Sequence, residues 1–365
     1  MLPRRRFLTS GALATGGLLL DGCATTGGSP MTAATGCLPP VDVSAGRVIR
    51  TVAGLRPYRA AGFVVRAEPL GDKRLVHNYG HGGAGITLSW GSSRLATDLG
   101  LGGHQGPVAV IGAGVMGLTT ARLVQEAGFP VTIYTEALTP HTTSNIAGGQ
   151  IAPFSAFEEE AVTPEWRAQF AAAMDYSWRR FQIMVGDDYG IRWLPTYQES
   201  ASSGAVGTEP WRPDAGRLGP GEHPFPVERV LRYSTMYVET GRFLRELTRD
   251  VQIAGGRIQV RRFAAPADLA TLPERLIFNC TGLGARELFG DRELHPVRGQ
   301  LAVLLPQPEV RYAFAGRAGY MFPRSDGILL GGTFEHDQWD PTPQPDAIAR
   351  IVASHQAFFA AFRCT

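Results

Sequence analysis

The chain of 365 residues predicts an α/β fold from three features that lie close together. First, the apolar, β-branched run Val108 to Ile111 is typical of a buried strand. Second, a GxGxxG turn leads from that strand into a helical pattern. Third, the next strand, Val131 to Tyr134, ends at Glu136, about 20 residues after the glycines. This order of strand, turn, helix, strand and acidic residue predicts a Rossmann-like dinucleotide-binding domain.

Each glycine of the turn has a separate task in binding a dinucleotide. Gly112 permits the tight turn, Gly114 lets backbone N–H groups approach a pyrophosphate, and Gly117 lets the helix pack closely on the strand. The phosphates are expected at the helix N-terminus. Glu136, at the end of the second strand, can accept the ribose hydroxyls of an adenosine. The same predicted cofactor site includes Ala113, Val115 and Met116. The alternative is a glycine-rich loop without a ligand, and the motif does not separate NAD from FAD.

Composition and charge narrow the classes of function. A chain of this length can bury a large core in one large domain or two joined domains. Lys plus Arg, 35, nearly balances Asp plus Glu, 33, so nothing indicates a nucleic-acid partner or an acidic membrane surface. The cysteines lack the paired short spacing of a zinc or redox site, so we expect no metal site and no disulfide framework. The four cysteines are Cys23, Cys37, Cys280 and Cys364.

The first residues, 1–23, are typical of an export signal. Three arginines at positions 4–6 precede an apolar run, Gly11 to Leu20, that is too short to span a bilayer. The arginines resemble a twin-arginine signal, and the run that ends at Cys23 resembles a lipoprotein cleavage site. We therefore expect an exported, periplasmic or membrane-attached protein, with acylated Cys23 as the candidate anchor. Residues 24–40 predict a tether, and a disordered basic tail is the alternative to the signal.

Another glycine-rich turn precedes the GxGxxG turn in the chain. The run Arg74 to Ser93, RLVHNYGHGGAGITLSWGSS, predicts a strand, a turn and a helix that begins near Thr87. Such a turn delivers the N-terminus of a helix to an electron-rich group. We interpret His77 and His81 as packed or turn-capping side chains rather than catalytic ones.

Several motifs together resemble the D-amino-acid oxidase family of FAD enzymes. They are GLRPYR, VHNYGHGGAGITLSWG, VAVIGAGVMGL, TPHTTSNIAGG, NCTG, and YMFP followed by GG. The resemblance covers nearly everything from Val41 to Ala361, but in the family the nucleotide strand opens the chain and the HNYGHGG block comes near its end. The sequence is therefore predicted to be circularly permuted through the glycine-rich join Leu101 to Pro107. The new termini would lie between the helical segment Pro345 to Phe362 and the strand that enters Gly54.

The resemblance implies FAD as the cofactor and identifies contacts to it. In the family, the run after the acidic residue wraps the flavin and the pyrophosphate, which here implies Thr142, Thr143, Ser144, Gly148 and Gly149. The other glycine-rich turn adds Gly82, Gly83, Ala84, Gly85, Ile86 and Thr87. Asn145, Gln150 and Ile151 differ from the commoner family residues at the flavin edge. An ordinary hydroxyl-rich turn is the alternative for residues 142–149.

The resemblance also implies the substrate site. Arg56, which Pro57 makes rigid, matches the residue that binds the substrate carboxylate through two parallel hydrogen bonds. Tyr320 would add a phenolic hydrogen bond, and the backbone carbonyl of Gly83 would receive the amino group. Taken singly, an Arg before a Pro is typical of a solvated turn and a Tyr in a strand is typical of packing. The motifs around them favour the binding role.

Departures from the family pattern bear on the substrate. Members that oxidise D-aspartate carry an Arg where this chain has Phe334, so Phe334 favours neutral side chains. No second Tyr matches the one that other members place there or in a longer lid. This leaves either a weaker carboxylate clamp or a substitute, Arg317 or Tyr312. An acidic substrate stays open because Arg317 lies close to Tyr320 in sequence.

The remaining segments predict a second domain. Glu158 to Gly186 has helical spacing with an aromatic stripe that favours core packing. Residues 200–227 are rich in Ser, Gly and Pro and predict a surface loop. Tyr233 to Val238 predicts a strand, Gly241 to Asp250 a helix, and Leu276 to Cys280 an apolar strand.

These segments predict two interleaved domains. We assign residues 41–157 and 276–365 mainly to the Rossmann-like FAD-binding domain. Residues 158–275 are assigned mainly to a mixed-sheet α+β substrate domain, to which 50–70 and 296–335 also contribute. The predicted fold class is thus α/β, with both domains interleaved in a permuted chain.

The implied reaction is the FAD-dependent oxidative deamination of a D-amino acid. The substrate would bind as its neutral amine, transfer a hydride from Cα to the flavin and leave as an imino acid that water converts to a 2-oxo acid and ammonia. Dioxygen would then take the electrons and form hydrogen peroxide. One alternative is a related amine or glycine-type oxidase or a quinone-linked dehydrogenase. The other is a non-catalytic FAD-containing binding protein.

Overall fold

The computed structural model describes residues 37–202, 206–207 and 209–363. Its strands, in chain order, are β1 (Val48–Tyr58), β2 (Val64–Leu70), β3 (Lys73–Tyr79), β4 (Val108–Ile111), β5 (Val131–Thr135), β6 (Ile191–Glu199), β7 (Gly216–Leu218), β8 (Val230–Val238), β9 (Arg257–Val260), β10 (Leu276–Asn279), β11 (His295–Leu304), β12 (Ala313–Gly316), β13 (Gly319–Arg324), β14 (Gly327–Gly331) and β15 (Glu335–His336). Its helices are α1 (Gly85–Leu101), α2 (Val115–Glu126), α3 (Thr143–Ile146), α4 (Pro164–Ile183), α5 (Thr240–Ile253), α6 (Pro266–Ala270), α7 (Gly284–Phe289) and α8 (Pro345–Ala360). The predicted export signal, with Cys23, and residues 24–36 of the tether lie outside the described residues, so export and acylation stay predictions.

A six-stranded sheet contains the strands predicted for the Rossmann-like domain. Its order is β2-β3-β10-β4-β5-β9, and all neighbours are parallel except β2, which pairs antiparallel with β3. Alternate residues of β4 face opposite sides: Val108 and Val110 pack with helices α1 and α2, whereas Ala109 and Ile111 pack with residues of α6 and α7. Both faces of the sheet are therefore covered, which is why the parallel strands are so apolar. The predicted α/β class is confirmed.

A nine-stranded sheet forms the other layer of the molecule. Its order is β1-β11-β14-β13-β12-β6-β8-β7, with β15 added to β11. Neighbouring strands are antiparallel except for β6 and β12, which are parallel, so the sheet is mixed as predicted. Helix α8 packs on β11, β13 and β14. A cluster of rings that includes Phe225, Phe314 and Phe358 fills the space between the helix and the sheet.

The structure departs from the sequence expectations at three elements. The predicted loop 200–227 contains β7, which pairs with the edge of β8. Strand β9 lies in the segment assigned to the substrate domain but joins the six-stranded sheet beside β5. Helix α8 lies in the segment assigned to the FAD-binding domain but covers the nine-stranded sheet. Each difference arises because the partner of a strand or helix depends on which edge or face is free in space, and local sequence does not encode that.

The cysteines also differ from expectation in one respect. The spacing indicated no disulfide framework, but Cys37 is disulfide-bonded, since spacing along the chain does not report which cysteines meet in space. Cys280 is free and buried, as expected, and burial raises the pKa of its thiol to about 12, which keeps it protonated and unreactive. Among the described helices, none combines the length and the apolarity needed to cross a membrane.

Candidate active site

One cavity of about 740 Å³ lies along the carboxyl ends of the parallel strands and extends to the nine-stranded sheet. Residues that directly follow β3, β4, β5, β9 and β10 line it: Gly80, Gly112, Glu136, Arg261 and Cys280. Ligands of open α/β sheets bind at this edge, because the turns after neighbouring parallel strands meet there. The cavity is therefore where the Rossmann-like motif predicts a dinucleotide.

The GxGxxG turn has the geometry that its glycines predict. Gly112 has φ +107°, and a Cβ on it would lie 2.5 Å from the Cys280 carbonyl oxygen. A Cβ on Gly114 would meet only the Ser144 hydroxyl, at 3.2 Å, so the backbone here is open to a ligand. A Cβ on Gly117 would clash with the Gly112 carbonyl oxygen, and Gly117 does not line the cavity. Gly117 thus acts through helix packing, as predicted, rather than through ligand contact.

The start of α2 fits the diphosphate of FAD. The turn residues beside the glycines, Ala113, Val115 and Met116, line the cavity. The Val115 N–H donates to the Ser144 hydroxyl over 3.0 Å, which places a polar side chain at the helix N-terminus. Glu136 lines the cavity with a side chain that is 71% exposed, so its carboxylate is open to a ribose. Helix dipole, backbone donors and carboxylate together match an adenosine diphosphate.

Residues after β9 complete the adenosine end, and the sequence did not reveal them. Arg261, Arg262 and Phe263 all line the cavity. The Arg261 guanidinium lies 4.8 Å above the Phe263 ring, and Arg262 lies 3.7 Å from the Glu136 carboxylate. The segment was missed because β9 was not predicted, although its pairing with β5 places Arg261 two strands from the GxGxxG turn.

The hydroxyl-rich run enters the cavity through a short capped helix. All five predicted residues, Thr142, Thr143, Ser144, Gly148 and Gly149, line the cavity. Asn145 instead locks the turn, because its side chain accepts from the Thr142 hydroxyl at 2.8 Å and donates to Thr139 at 2.9 Å. Gly149 has φ +86°, and any Cβ there would clash with the Val238 carbonyl oxygen. The run therefore needs glycine to pass between β8 and the cavity.

The turn after β3 lies against the same cavity from the other side. Four of its predicted residues line it: Gly82, Gly83, Gly85 and Ile86. Two do not. Ala84 is fully buried, and Thr87 is turned inward, where its hydroxyl donates to the Ala152 carbonyl over 2.9 Å. Thr87 therefore anchors the start of α1 to residues 150–152 instead of facing a ligand. Successive side chains in the first turn of a helix point in different directions, so not all of them can face the cavity.

The two histidines near this turn, one in β3 and one in the turn itself, are packed, as interpreted. His77 is fully buried between Asn279, 2.9 Å away, and Glu68, 3.1 Å away, and burial lowers the pKa of its imidazole. His81 is stacked on the Phe63 ring with centroids 5.1 Å apart, and its Nε2 lies 2.9 Å from the Ser92 hydroxyl. Burial lowers the pKa of His81 to about 3, so the ring is neutral at physiological pH.

The substrate end of the cavity brings together the residues that the resemblance implied. Arg56, from β1, Tyr320, from β13, and Gly83 line it. Gly299 makes room for the guanidinium, because a Cβ there would lie 2.5 Å from both Arg56 Nη atoms. Nη1 of Arg56 is buried and has no hydrogen-bond partner among the described residues. A buried guanidinium nitrogen with an unused donor is suited to binding an anion.

Tyr320 supports the same anion site. Its side chain is enclosed, and burial raises the pKa of its phenol, an effect that the neighbouring Arg56 charge partly offsets. The hydroxyl therefore remains a hydrogen-bond donor beside the guanidinium. The Phe334 ring is half exposed and lies 5.6 Å from the Arg56 guanidinium, so the wall next to the anion site is apolar.

Neither substitute for the second Tyr reaches the cavity. The Tyr312 hydroxyl donates to the Pro39 carbonyl over 2.8 Å, inside the aromatic core under α8. Arg317 is paired with Glu199, with Nε 2.6 Å from the carboxylate. Both expectations were wrong: the tight turn between β12 and β13 directs Arg317 to Glu199 at the end of β6, and Tyr312 packs in the core on the way into β12.

Comparisons with known proteins agree with this geometry. The family model described as FAD dependent oxidoreductase (DAO) matches residues 31–99 and 107–364. A D-amino-acid oxidase from Streptomyces coelicolor is 32% identical over 270 residues, covering 68% of this chain and 76% of that protein. Human D-aspartate oxidase is 27% identical over 258 residues, covering 67% and 74%. Glycine oxidase from Geobacillus kaustophilus, at 17% identity and a TM-score of 0.53 over 68% of this chain and 77% of that one, shares the fold.

The matches settle the cofactor and the class of reaction. The family model covers both glycine-rich turns and the segments that line the cavity, and its members are FAD-dependent. The cradle at the start of α2 fits that cofactor, and the unpartnered Nη1 of Arg56 fits a carboxylate substrate. The protein is thus an FAD-dependent oxidoreductase that acts on CH–NH₂ groups. The chain belongs to the D-amino-acid oxidase family of FAD-dependent oxidoreductases.

Proposed function

We propose that this chain oxidises D-amino acids with uncharged side chains to 2-oxo acids, with dioxygen as electron acceptor. The observation that carries the proposal is the buried, unpartnered Nη1 of Arg56, which lies in the same cavity as the GxGxxG turn. A guanidinium nitrogen with an unused donor beside a flavin site is suited to a substrate carboxylate.

The neighbours of Arg56 suit the rest of an α-amino acid. Gly83 lies beside it, since a Cβ on Gly83 would be 3.7 Å from Arg56 Cδ and 2.9 Å from the Phe154 carbonyl oxygen. The Gly83 N–H donates to Ser155 over 2.9 Å, which fixes this peptide at the cavity wall. We assign its carbonyl oxygen to the substrate amine, with Arg56 and Tyr320 binding the carboxylate. Two adjacent sites of opposite polarity recognise an α-amino acid as a unit.

The charges that line the cavity favour an uncharged side chain. The cations among the described lining residues are Arg56, Arg261 and Arg262. The last two lie with Glu136 at the adenosine end, and Arg56 is committed to the α-carboxylate. A second carboxylate would lose its hydration without gaining a cation, which is costly in a buried site. Phe334 supplies apolar surface beside Arg56, and the family resemblance implies an Arg at this position in members that oxidise D-aspartate.

The side chains contribute position rather than acid or base catalysis. Bound FAD supplies the two-electron acceptor for the Cα–H bond. The protein orients that bond by holding the carboxylate at Arg56 and the amine at Gly83. His81 is the nearest imidazole in the turn, and it is neutral, stacked and bonded to Ser92. The amine must therefore arrive deprotonated or lose its proton to water.

Anaerobic mixing of the FAD-loaded protein with D- and L-amino acids tests the proposal. We expect flavin absorbance to bleach with neutral D-amino acids only, and air to restore it with one hydrogen peroxide formed per substrate. Bleaching that only a quinone reverses would identify a dehydrogenase. Bleaching by D-aspartate in preference to neutral substrates would contradict the charge argument. If FAD is bound and no D-amino acid bleaches it, the oxidase proposal is contradicted and the alternative of a non-catalytic FAD-containing binding protein is favoured.

We also propose that the chain is a circular permutant of its family. The family match is interrupted between residues 99 and 107, where α1 ends and β4 begins. At the other end, Tyr312 contacts both termini of the described chain: its hydroxyl binds Pro39 and its ring stacks on Phe362 with centroids 6.5 Å apart. Joining Phe362 to Pro39 by a short linker and opening the chain at Gly106 should preserve FAD binding and activity. Loss of folding in that rearranged protein would contradict the proposal.

A further inference from the structure

We infer that the cavity contains, two strands away from Tyr320, a subsite for uncharged polar side chains that is formed by the amides of Gln198 and Gln150. The inference rests on the proposed function and narrows it: substrates with a carboxamide or hydroxyl group are preferred over aliphatic ones of equal length. Both glutamines line the cavity, and neither belongs to the carboxylate or amine site described above.

The strand register places Gln198 at the right distance from the carboxylate site. Ala315 of β12 is paired with Tyr320 of β13 on one side and with Gln198 of β6 on the other. Paired residues face the same side of a sheet, and two strand spacings amount to about 10 Å. A D-amino acid with a side chain of three or four heavy atoms, hydrogen-bonded at both ends, spans roughly this distance. The small Ala315 side chain leaves the path between them open.

A single tyrosine orients both amides. Gln150 Nε2 donates to the Tyr233 hydroxyl over 3.2 Å, and that hydroxyl donates to Gln198 Oε1 over 3.4 Å. Because both hydrogen bonds run in this direction, Gln150 Oε1 remains a free acceptor and Gln198 Nε2 remains a free donor. Tyr233 is itself 1% exposed, with the Arg212 guanidinium 5.1 Å from its ring. The amides are thus held in place before a ligand binds.

One donor next to one acceptor selects the chemistry of the ligand. A carboxamide or a hydroxyl can accept from Gln198 and donate to Gln150 at the same time. A carboxylate can only accept, so it would face the Gln150 oxygen without a donor. An aliphatic group would bury both amides without hydrogen bonds, and a site built for hydrogen bonding rejects such analogues. Uncharged polar side chains are therefore the matching class.

Steady-state kinetics with matched substrates test the subsite. D-Glutamine and D-norleucine have side chains of similar length and differ in the terminal carboxamide. We expect the wild-type protein to favour D-glutamine in kcat/KM by about tenfold, the effect of one satisfied hydrogen bond. Q198L should abolish this preference, and Tyr233→Phe should reduce it while keeping the ring under Arg212. Gln252→Leu, at an exposed position on α5, serves as the matched control and should leave kcat/KM unchanged for both substrates.

A binding measurement on the wild-type protein keeps the inference testable if Q198L does not fold. Glutaramate and hexanoate are carboxylates without an α-amine, and both can be titrated through the flavin spectrum. Glutaramate should bind about tenfold more tightly. Equal binding of the two, or equal kcat/KM for D-glutamine and D-norleucine, would overturn the subsite alone. No bleaching by any D-amino acid would overturn the proposed function, and the subsite with it.

Discussion

The two ends of the cavity are built in different ways. At the dinucleotide end, consecutive residues from Val108 to Glu136 form strand, turn, helix and strand, and much of the surface offered to FAD is backbone. At the substrate end, Arg56, Tyr320 and Gln198 come from β1, β13 and β6, which are far apart in sequence and reach one cavity only because they belong to the same nine-stranded sheet.

This difference explains which substitutions each end of the cavity tolerates. The dinucleotide end depends on the absence of side chains, as at Gly112 and Gly117, where a Cβ would meet backbone carbonyl oxygens. The substrate end depends on side chains and their charges, so it can change specificity without changing the fold. A substitution at one end should therefore affect the retention of FAD, and a substitution at the other should affect turnover with FAD still bound.

The largest effect is expected from Arg56→Met at the substrate end. Removing a charge that pairs with a desolvated carboxylate costs about 2–5 kcal/mol, so kcat/KM for D-amino acids should fall roughly a thousandfold. FAD content should stay unchanged, because Arg56 belongs to β1 of the nine-stranded sheet, whereas the diphosphate cradle is the turn between β4 and α2. Arg56→Lys keeps the charge without the bidentate geometry, so its kcat/KM should fall less than that of Arg56→Met. A decrease below tenfold for Arg56→Met would show that another group binds the carboxylate.

The next largest effect is expected from Gly117→Ala at the dinucleotide end. The added Cβ would clash with the Gly112 carbonyl oxygen and separate α2 from the turn, at a cost of about 1–3 kcal/mol. FAD affinity, measured by titrating the apoprotein, should fall by up to about a hundredfold. Gly102→Ala, where a Cβ would meet nothing within 4 Å, is the control. Retention of full FAD affinity would refute the packing role of this glycine.

A smaller effect is expected on stability at acid pH, from the turn that lies between the two ends. Burial lowers the pKa of His81 from 6.5 to about 3, so the folded protein binds fewer protons than the unfolded chain in that range. The free energy of unfolding is therefore unaffected by the protonation of His81 above pH 6.5, and it decreases as the pH falls from 6.5 towards 3. The Tm of wild-type protein should therefore fall between pH 6.5 and 4, more steeply than that of His81→Gln. Parallel Tm curves for the two proteins would rule out His81 as the cause.

The smallest effect is expected from Glu136→Gln at the dinucleotide end. The carboxylate is 71% exposed, so solvent screens its charge and a ribose hydrogen bond there contributes little. FAD affinity should fall only a few-fold, and kcat/KM at saturating FAD should not change. A loss as large as that of Gly117→Ala would mean that side chains, rather than backbone, dominate this end.

The candidate site was predictable to different degrees along the chain. The strands β4 and β5 and the GxGxxG turn could be predicted because their pattern is local and every residue of both strands is buried. Arg261 and the other residues after β9 were missed because β9 is a short, mostly exposed edge strand without alternation. Arg317 was expected to help bind substrate because it is near Tyr320 in sequence, yet a tight turn directs it to Glu199.

The sequence by itself determined the nucleotide-binding unit, since a strand, a glycine turn and a helix form from contacts between residues close in the chain. With the family resemblance it also predicted that Arg56 and Tyr320 bind the substrate carboxylate. Only the tertiary structure decided that the Arg56 Nη1 is left without a partner, that Gln198 and Gln150 share the Tyr233 hydroxyl, and that β9 joins the six-stranded sheet. The physical reason is that sheet register brings distant residues together, and register depends on the pairing of all strands at once.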